Sequence, residues 1–171
     1  PDEDEQNVLR SSTAGFGEFV RALMGKIFTL LENLPDAARL RTGSPEENVI
    51  NTLPAALTPL FASLSPEIFD IALEKLSSFV SGHVVHQARD AVAFMTNALC
   101  KVNPAKALKV FVPMLIVGIR NEIDNNNAAS DRSSGTDVLP RDRALVWHVS
   151  MLSMIVVHVG ADVMDYKKEL F

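Results

Sequence analysis

Four histidines, one cysteine and a short run of lysines are the side chains in this sequence best suited to chemistry. His83 and His86 stand three residues apart, a spacing that could bring two imidazoles together at a metal. They lie across an expected turn after Gly82, no carboxylate stands at ligand spacing, and no His-Glu-x-x-His pattern occurs, so a metal pair is not favoured. His148 and His158 are ten residues apart, on different faces of one apolar helix, and are expected as core or interface histidines. Cys100 closes an apolar helical face. A nucleophile would need a partner base that spacing does not supply, so Cys100 is expected as a small buried hydrophobe. Lys101, Lys106 and Lys109 gather at a helix junction, where basic groups can hold phosphate or an acidic partner, although a solvated face explains them more simply. Gly15-Phe16-Gly17 lacks the third glycine of a dinucleotide fingerprint, and no phosphate loop, Gly-x-Ser-x-Gly or paired-carboxylate motif is present. The expected catalytic, cofactor and metal residues are therefore none, and the chain offers surfaces in place of a reaction centre.

The elements behind those surfaces follow from composition and periodicity. With 171 residues, 47% apolar and 22% charged, the chain is too apolar for intrinsic disorder and long enough for one domain or a short stretch of a repeat array. A net charge of -5 argues against a nucleic-acid footprint, so DNA is not an expected partner. A single cysteine excludes an internal disulfide, and no Asn-x-Ser/Thr site or signal peptide marks the chain as secreted. The acidic opening Pro1-Asp2-Glu3-Asp4-Glu5 cannot start a core, so 1–15 is expected to be a disordered lead-in. The chain opens on Pro1 and stops at Phe171 in mid-pattern, from which excision from a longer polypeptide is expected.

Apolar residues recur in steps of three and four. Phe16, Phe19, Val20, Leu23, Ile27, Leu30, Leu31 and Leu34 predict one amphipathic helix over 16–34. Ser44-Pro45-Glu46-Glu47 is a capping box with proline at the first helical position and opens a helix to about 63, in which Pro54 and Pro59 predict a kink or break. Ser65-Pro66-Glu67 opens a third helix, closed by Gly82. A fourth covers 86–101, and Asn103-Pro104 opens a fifth that contains Pro113. Residues 124–139 lack periodic apolar positions and are expected as a polar, mobile loop before a restart at Pro140. Residues 144–159 are apolar nearly all round, too short to span a bilayer, and expected as a core helix between neighbours, with Trp147 buried or stacked at a seam. The fold class is all-α.

Three junctions share a form: Leu64-Ser65-Pro66-Glu67, Val102-Asn103-Pro104-Ala105 and Val159-Gly160-Ala161-Asp162. A helix-pair repeat near 40 residues is the signature of HEAT or armadillo arrays, in which pairs stack because neither helix can hide its apolar face alone. The expectation is an α-solenoid of HEAT-like antiparallel helix pairs over 16–123, with a further truncated pair over 140–171.

Two stretches carry a resemblance beyond composition. One is Ala98-Leu99-Cys100-Lys101-Val102-Asn103-Pro104-Ala105-Lys106-Ala107-Leu108-Lys109, followed by Phe111-Val112-Pro113. The other is Thr136-Asp137-Val138-Leu139-Pro140-Arg141-Asp142-Arg143-Ala144-Leu145-Val146-Trp147, running on to Met151-Leu152, and Ile27-Phe28-Thr29-Leu30-Leu31-Glu32-Asn33-Leu34-Pro35 agrees with both. From about 16 to 171 the chain resembles the middle region of the large single-chain HEAT-repeat proteasome activators, the bleomycin-sensitivity protein family. The resemblance implies a dome-shaped solenoid that caps the proteasome core particle, loosens its gate without ATP and favours entry of peptides and unstructured proteins. Acetylated histones are among the substrates it implies, with residence in nucleus and cytoplasm, flanking HEAT repeats as neighbours, and no cofactor, DNA or membrane. Docking in that family uses a C-terminal tail with a penultimate tyrosine. This chain ends Lys168-Glu169-Leu170-Phe171, so the segment is not expected to open the gate alone, and no residue matches an inositol-phosphate or acetyl-lysine motif. A HEAT-type adaptor for transport or phosphatase scaffolding would keep the fold and change the partner. A helical small-ligand domain or enzyme would need a convergent polar pocket.

Overall fold

The computed structural model describes residues 3–35, 43–127 and 142–170. Within them lie helices α1 (Glu3–Glu32), α2 (Pro45–Ala62), α3 (Pro66–Gly82), α4 (Arg89–Val102), α5 (Pro104–Asn127), α6 (Arg143–Val163) and the short α7 (Lys167–Leu170). Single 3-10 turns at His86–Ala88 and Met164–Tyr166 lead into α4 and α7.

The starts of α2, α3 and α5 share one device. Ser44 Oγ accepts from the Glu47 amide at 3.2 Å, Ser65 Oγ from the Ile68 amide at 3.4 Å, and Asn103 Oδ1 from the Lys106 amide at 3.1 Å. Each satisfies a first-turn donor that the helix cannot, and proline takes the position whose amide needs no partner. The Glu47 carboxylate accepts from the amide of Gly43, one residue ahead of the cap, where the capping box had implied the Ser44 amide.

Several boundaries differ from expectation. The region 1–15 is helical from Glu3 onward, not a disordered lead-in. Carboxylates that cannot enter a core still favour a helix N-terminus, where the backbone dipole is positive. Helix α5 runs on through 124–127, so the polar loop starts no earlier than 128. Residues 128–141, with Pro140, lie outside the described residues. Helix α2 is continuous through Pro54 and Pro59. Pro59 is exposed, as is Pro113 within α5, and a carbonyl freed on the solvent side can turn to water. The third junction is a kink and not a turn between helices. Val159 takes φ -129 and ψ 26 inside α6, and the helix resumes beyond it.

Packing runs between alternate helices. In one layer α1 packs on α3 and α3 on α5, and in the other α2 packs on α4 and α4 on α6. The layers meet mainly where α5 and α4 lie against their sequence neighbours, giving an all-α, HEAT-type solenoid with no strand among the described residues. One hydrophobic cluster threads both layers, through Met24 and Leu31 of α1, Phe61 of α2, Leu76 of α3, Leu99 of α4, Phe111 of α5 and Met151 of α6. Gly17 lets α1 approach α3 closely, since a Cβ there would stand 3.3 Å from Ile71 Cδ1. Trp147 of α6 is buried and its Nε1 donates to the Val80 carbonyl at 3.0 Å, which ties the second layer to the end of α3.

Helix α6 departs most from expectation. It is not enclosed by neighbours. Trp147, Met151, Ile155, Val159 and Val163 form the buried stripe, while Val149, Val156 and Val157 face outward. Because the helix continues past Val159, Arg143–Tyr166 is 24 residues of hydropathy 1.7, long and apolar enough to cross a membrane by length and composition, with 22% of its most apolar window buried. Length alone therefore does not exclude a membrane-spanning helix. The packing of its inner stripe on α4 and α5 accounts for α6 as a solenoid helix.

Candidate interaction surfaces

The chemically capable side chains are dispersed by the fold. His83 caps α3, stacks on Phe79 at 4.9 Å between ring centroids, and sets Nε2 3.3 Å from Glu32 Oε1 of α1. Phe79 in turn stacks on Phe28 at 4.3 Å, so three rings run along the α1–α3 seam. His86 sits in the following 3-10 turn. Among the described residues no group of three or more His, Cys, Asp or Glu is placed to hold a metal ion. Cys100 is fully buried in α4, and burial pushes its thiol up to about 12, so almost no thiolate forms near neutral pH.

The lysines separate too. Lys106 reaches back to α3, where its Nζ donates to both oxygens of Asp70 at 2.7 Å. Lys109 is exposed on α5, and Lys101 stands at the rim of a groove between α2 and α4. His148 packs its ring over Gly118 of α5 so closely that a Cβ there would lie 2.9 Å from the imidazole. Its Nδ1 is enclosed without a hydrogen-bond partner. Desolvation holds its pKa below the ordinary value, while the Ala144 carbonyl one turn back and Glu122 pull the other way. His158 is exposed, with Nδ1 3.1 Å from the Met154 carbonyl.

Two kinds of surface remain. The first is the groove, a cavity of about 390 Å³ on the face of the second layer. Ile50, Ala55, Ala91, Phe94 and Ala98 give it apolar lining, while Asn51, Thr58, Asp90, Asn97, Lys101 and His158 of α6 add polar groups. Asn97 and Phe94 were not singled out from sequence. The available signal was Asp90, Phe94, Asn97 and Lys101 at steps of four, three and four, a mixed stripe on an otherwise apolar helix.

The second kind is a set of open apolar stripes on the end helices. On α6, Leu145, Val149, Leu152 and Val156 follow steps of four, three and four, with Val149 and Val156 exposed. On α5, Val110 and Val117 are exposed with Met114 half-buried between them. On α1, Phe16 and Phe19 stand 46% and 50% exposed, their rings 5.3 Å apart, with Leu30 on the same side. All three belong to the apolar series from which one amphipathic helix over 16–34 is expected.

Comparison with known proteins places these surfaces in context. The family described as proteasome activator complex subunit 4, mid HEAT repeats region, matches residues 1–171. Over 170 residues the chain is 28% identical to proteasome activator complex subunit 4 of Homo sapiens, 27% to subunit 4B of Danio rerio and 26% to subunit 4 of Xenopus laevis. Each alignment covers 95% of this chain and 9% of the relative, so the chain spans about a tenth of their length.

Proposed function

Because the chain belongs to the mid HEAT-repeat family of proteasome activator complex subunit 4, we propose that it forms part of the wall of an ATP-independent proteasome activator. The segment works as a scaffold and not as an enzyme. Its task is to keep the curvature of a dome through packed helix pairs. The match of the family over the whole chain carries this reading, and the open stripes on α1, α5 and α6 support it. A terminal repeat normally presents a polar outer face, whereas an internal one presents apolar surface to its neighbours. Flanking helix pairs of the same polypeptide would cover these stripes, so the chain is read as one stretch of a longer solenoid.

In this reading the longer polypeptide caps the proteasome core particle in nucleus and cytoplasm. It favours gate opening and the entry of peptides and unstructured proteins, acetylated histones among them. The test is a native gel of source extract, probed with an antibody to this segment and overlaid with a fluorogenic proteasome substrate. Signal on a far larger polypeptide that comigrates with peptidase activity is expected. A large polypeptide migrating apart from all such activity would overturn the assignment to the proteasome while leaving the solenoid intact.

A further inference from the structure

We propose that the seam between α5 and α6 is a proton-operated joint, in which a proton on His148 unseats the ring from Gly118 and loosens α6 from α5 while the rest of the fold holds. The joint lies within this chain and does not depend on the reading above. Two local losses meet at one point of the seam. Gly118 stands in the interior of α5, where glycine is unfavourable for a helix. It makes room for the imidazole of His148 and for little else, since a Cβ there would lie 2.9 Å from Cδ2 and Nε2 and 3.0 Å from Cε1. His148 is half-buried, and its Nδ1 is enclosed without a hydrogen-bond partner, a cost to folding. An alanine facing an apolar side chain would carry neither loss, and sequences keep such local conflicts chiefly where function uses them.

The ring has two states with different needs. Neutral imidazole carries one N–H and can lie flat on the glycine. Imidazolium carries two N–H groups and a charge, and each N–H needs an acceptor. Desolvation in the seat disfavours the charged ring, while the Ala144 carbonyl one turn back and the Glu122 carboxylate one turn beyond Gly118 favour it. Turning toward both acceptors in a seat this close parts the two helices. Glu122 is the charged group that acts across the seam. On α5, Lys109, Arg120 and Asp124 are exposed and Lys106 holds Asp70. On α4, Asp90 pairs with Arg89 and lies against another side of α6, at Ser150, Ser153 and Val157. Asp165 and Tyr166 occupy the 3-10 turn beyond the far end of α6. Trp147, next to His148 in the chain, ties α6 to Val80 of α3, and α6 also packs on α4, so the loosening is confined to the α5 side.

The test is NMR of the 15N-labelled chain, with amide hydrogen-exchange protection measured at about pH 7.5 and about pH 5.5. With the ring at its ordinary value of 6.5 in the loosened seam and lower in the seat, linkage gives an expected loss of protection of about tenfold over 115–122 and 145–152. Amides of α3 should keep theirs, and His148→Gln should remove the loss. Glu122→Gln should move the midpoint of the His148 ring titration to lower pH, because the carboxylate favours the charged ring, an effect that a merely packed histidine would not show. Unchanged protection at the seam, the same loss in His148→Gln, an equal loss across α3, or an unmoved midpoint in Glu122→Gln would each overturn the proposal.

Discussion

Helices α4 and α6 occupy the same layer and lie against each other, yet they are buried in opposite measure to their apolarity. Helix α6 is the more apolar by sequence, and its burial is confined to one stripe along the helix. Helix α4 carries Asp90, Thr96, Asn97 and Lys101, yet residues 91–93 and 95–100 are all buried. The difference is the number of neighbours. Helix α4 has α2 on one side, α6 on the other, and α5 and α3 beneath, whereas α6 packs chiefly on α4 and α5 and touches α3 through Trp147. In a stacked array burial follows position in the stack, and on the function proposed above the surplus apolarity of α6 is surface for a flanking helix.

The same substitution placed in each helix separates the two most sharply. Leu99→Asp puts an unpaired carboxylate at a fully buried site and should abolish folding, as circular dichroism would show. Val156→Asp on the open stripe should shift the stability of the chain by no more than about 0.5 kcal/mol in urea titration. A large loss at Val156 would mean that α6 is covered within this chain and would break the comparison. Next in size is Trp147→Ala, which removes the largest buried side chain of α6 and its bond to Val80. It should cost about 3–5 kcal/mol, because the inner stripe of α6 is as tightly held as α4.

Gly118→Ala tests the α5–α6 seam. The added Cβ meets the His148 ring at 2.9 Å, so a loss of about 1–3 kcal/mol is expected. A second substitution, His148→Ala, should relieve most of that clash in a double-mutant cycle. The smallest effect concerns pH. His148 is held below its ordinary value of 6.5, so the unfolded chain binds the proton more readily than the folded one. Stability contributed at this site is full above pH 6.5 and is lost as pH falls from there toward the folded pKa. Urea midpoints measured through that window should decline less in His148→Gln than in the wild type.

The parts legible in the sequence were those governed by local chemistry. Ser44, Ser65 and Asn103 announce their helix starts because a cap needs only its own next turn. In α3 and α4 helical spacing and burial coincide, at Phe69, Ala72, Leu73, Leu76, Phe79 and Val80 and at Ala91, Val92, Met95, Ala98 and Leu99, because neighbours on several sides bury a wide arc. At Phe16, Phe19 and Leu30 the spacing marks the helix but leaves these side chains exposed, since periodicity shows that a face is apolar and not whether a partner covers it. Val159-Gly160 resembled a junction because Gly and Asp occur at turns, yet the inner stripe of α6 stays in contact across it and the helix only bends. The groove was invisible for a related reason. Its walls exist only once α2 has been laid beside α4, although the mixed stripe from Asp90 to Lys101 was a trace of it.

Sedimentation velocity of the chain, alone and as the Val149→Lys/Val156→Lys variant, tests most directly whether the outer stripe of α6 is a seat for another helix. Concentration-dependent self-association of the wild type is expected, as exposed stripes find each other in place of flanking repeats, with a monomeric variant of unchanged helicity. A wild-type chain that sediments as a monomer at every concentration and binds no apolar dye would contradict it.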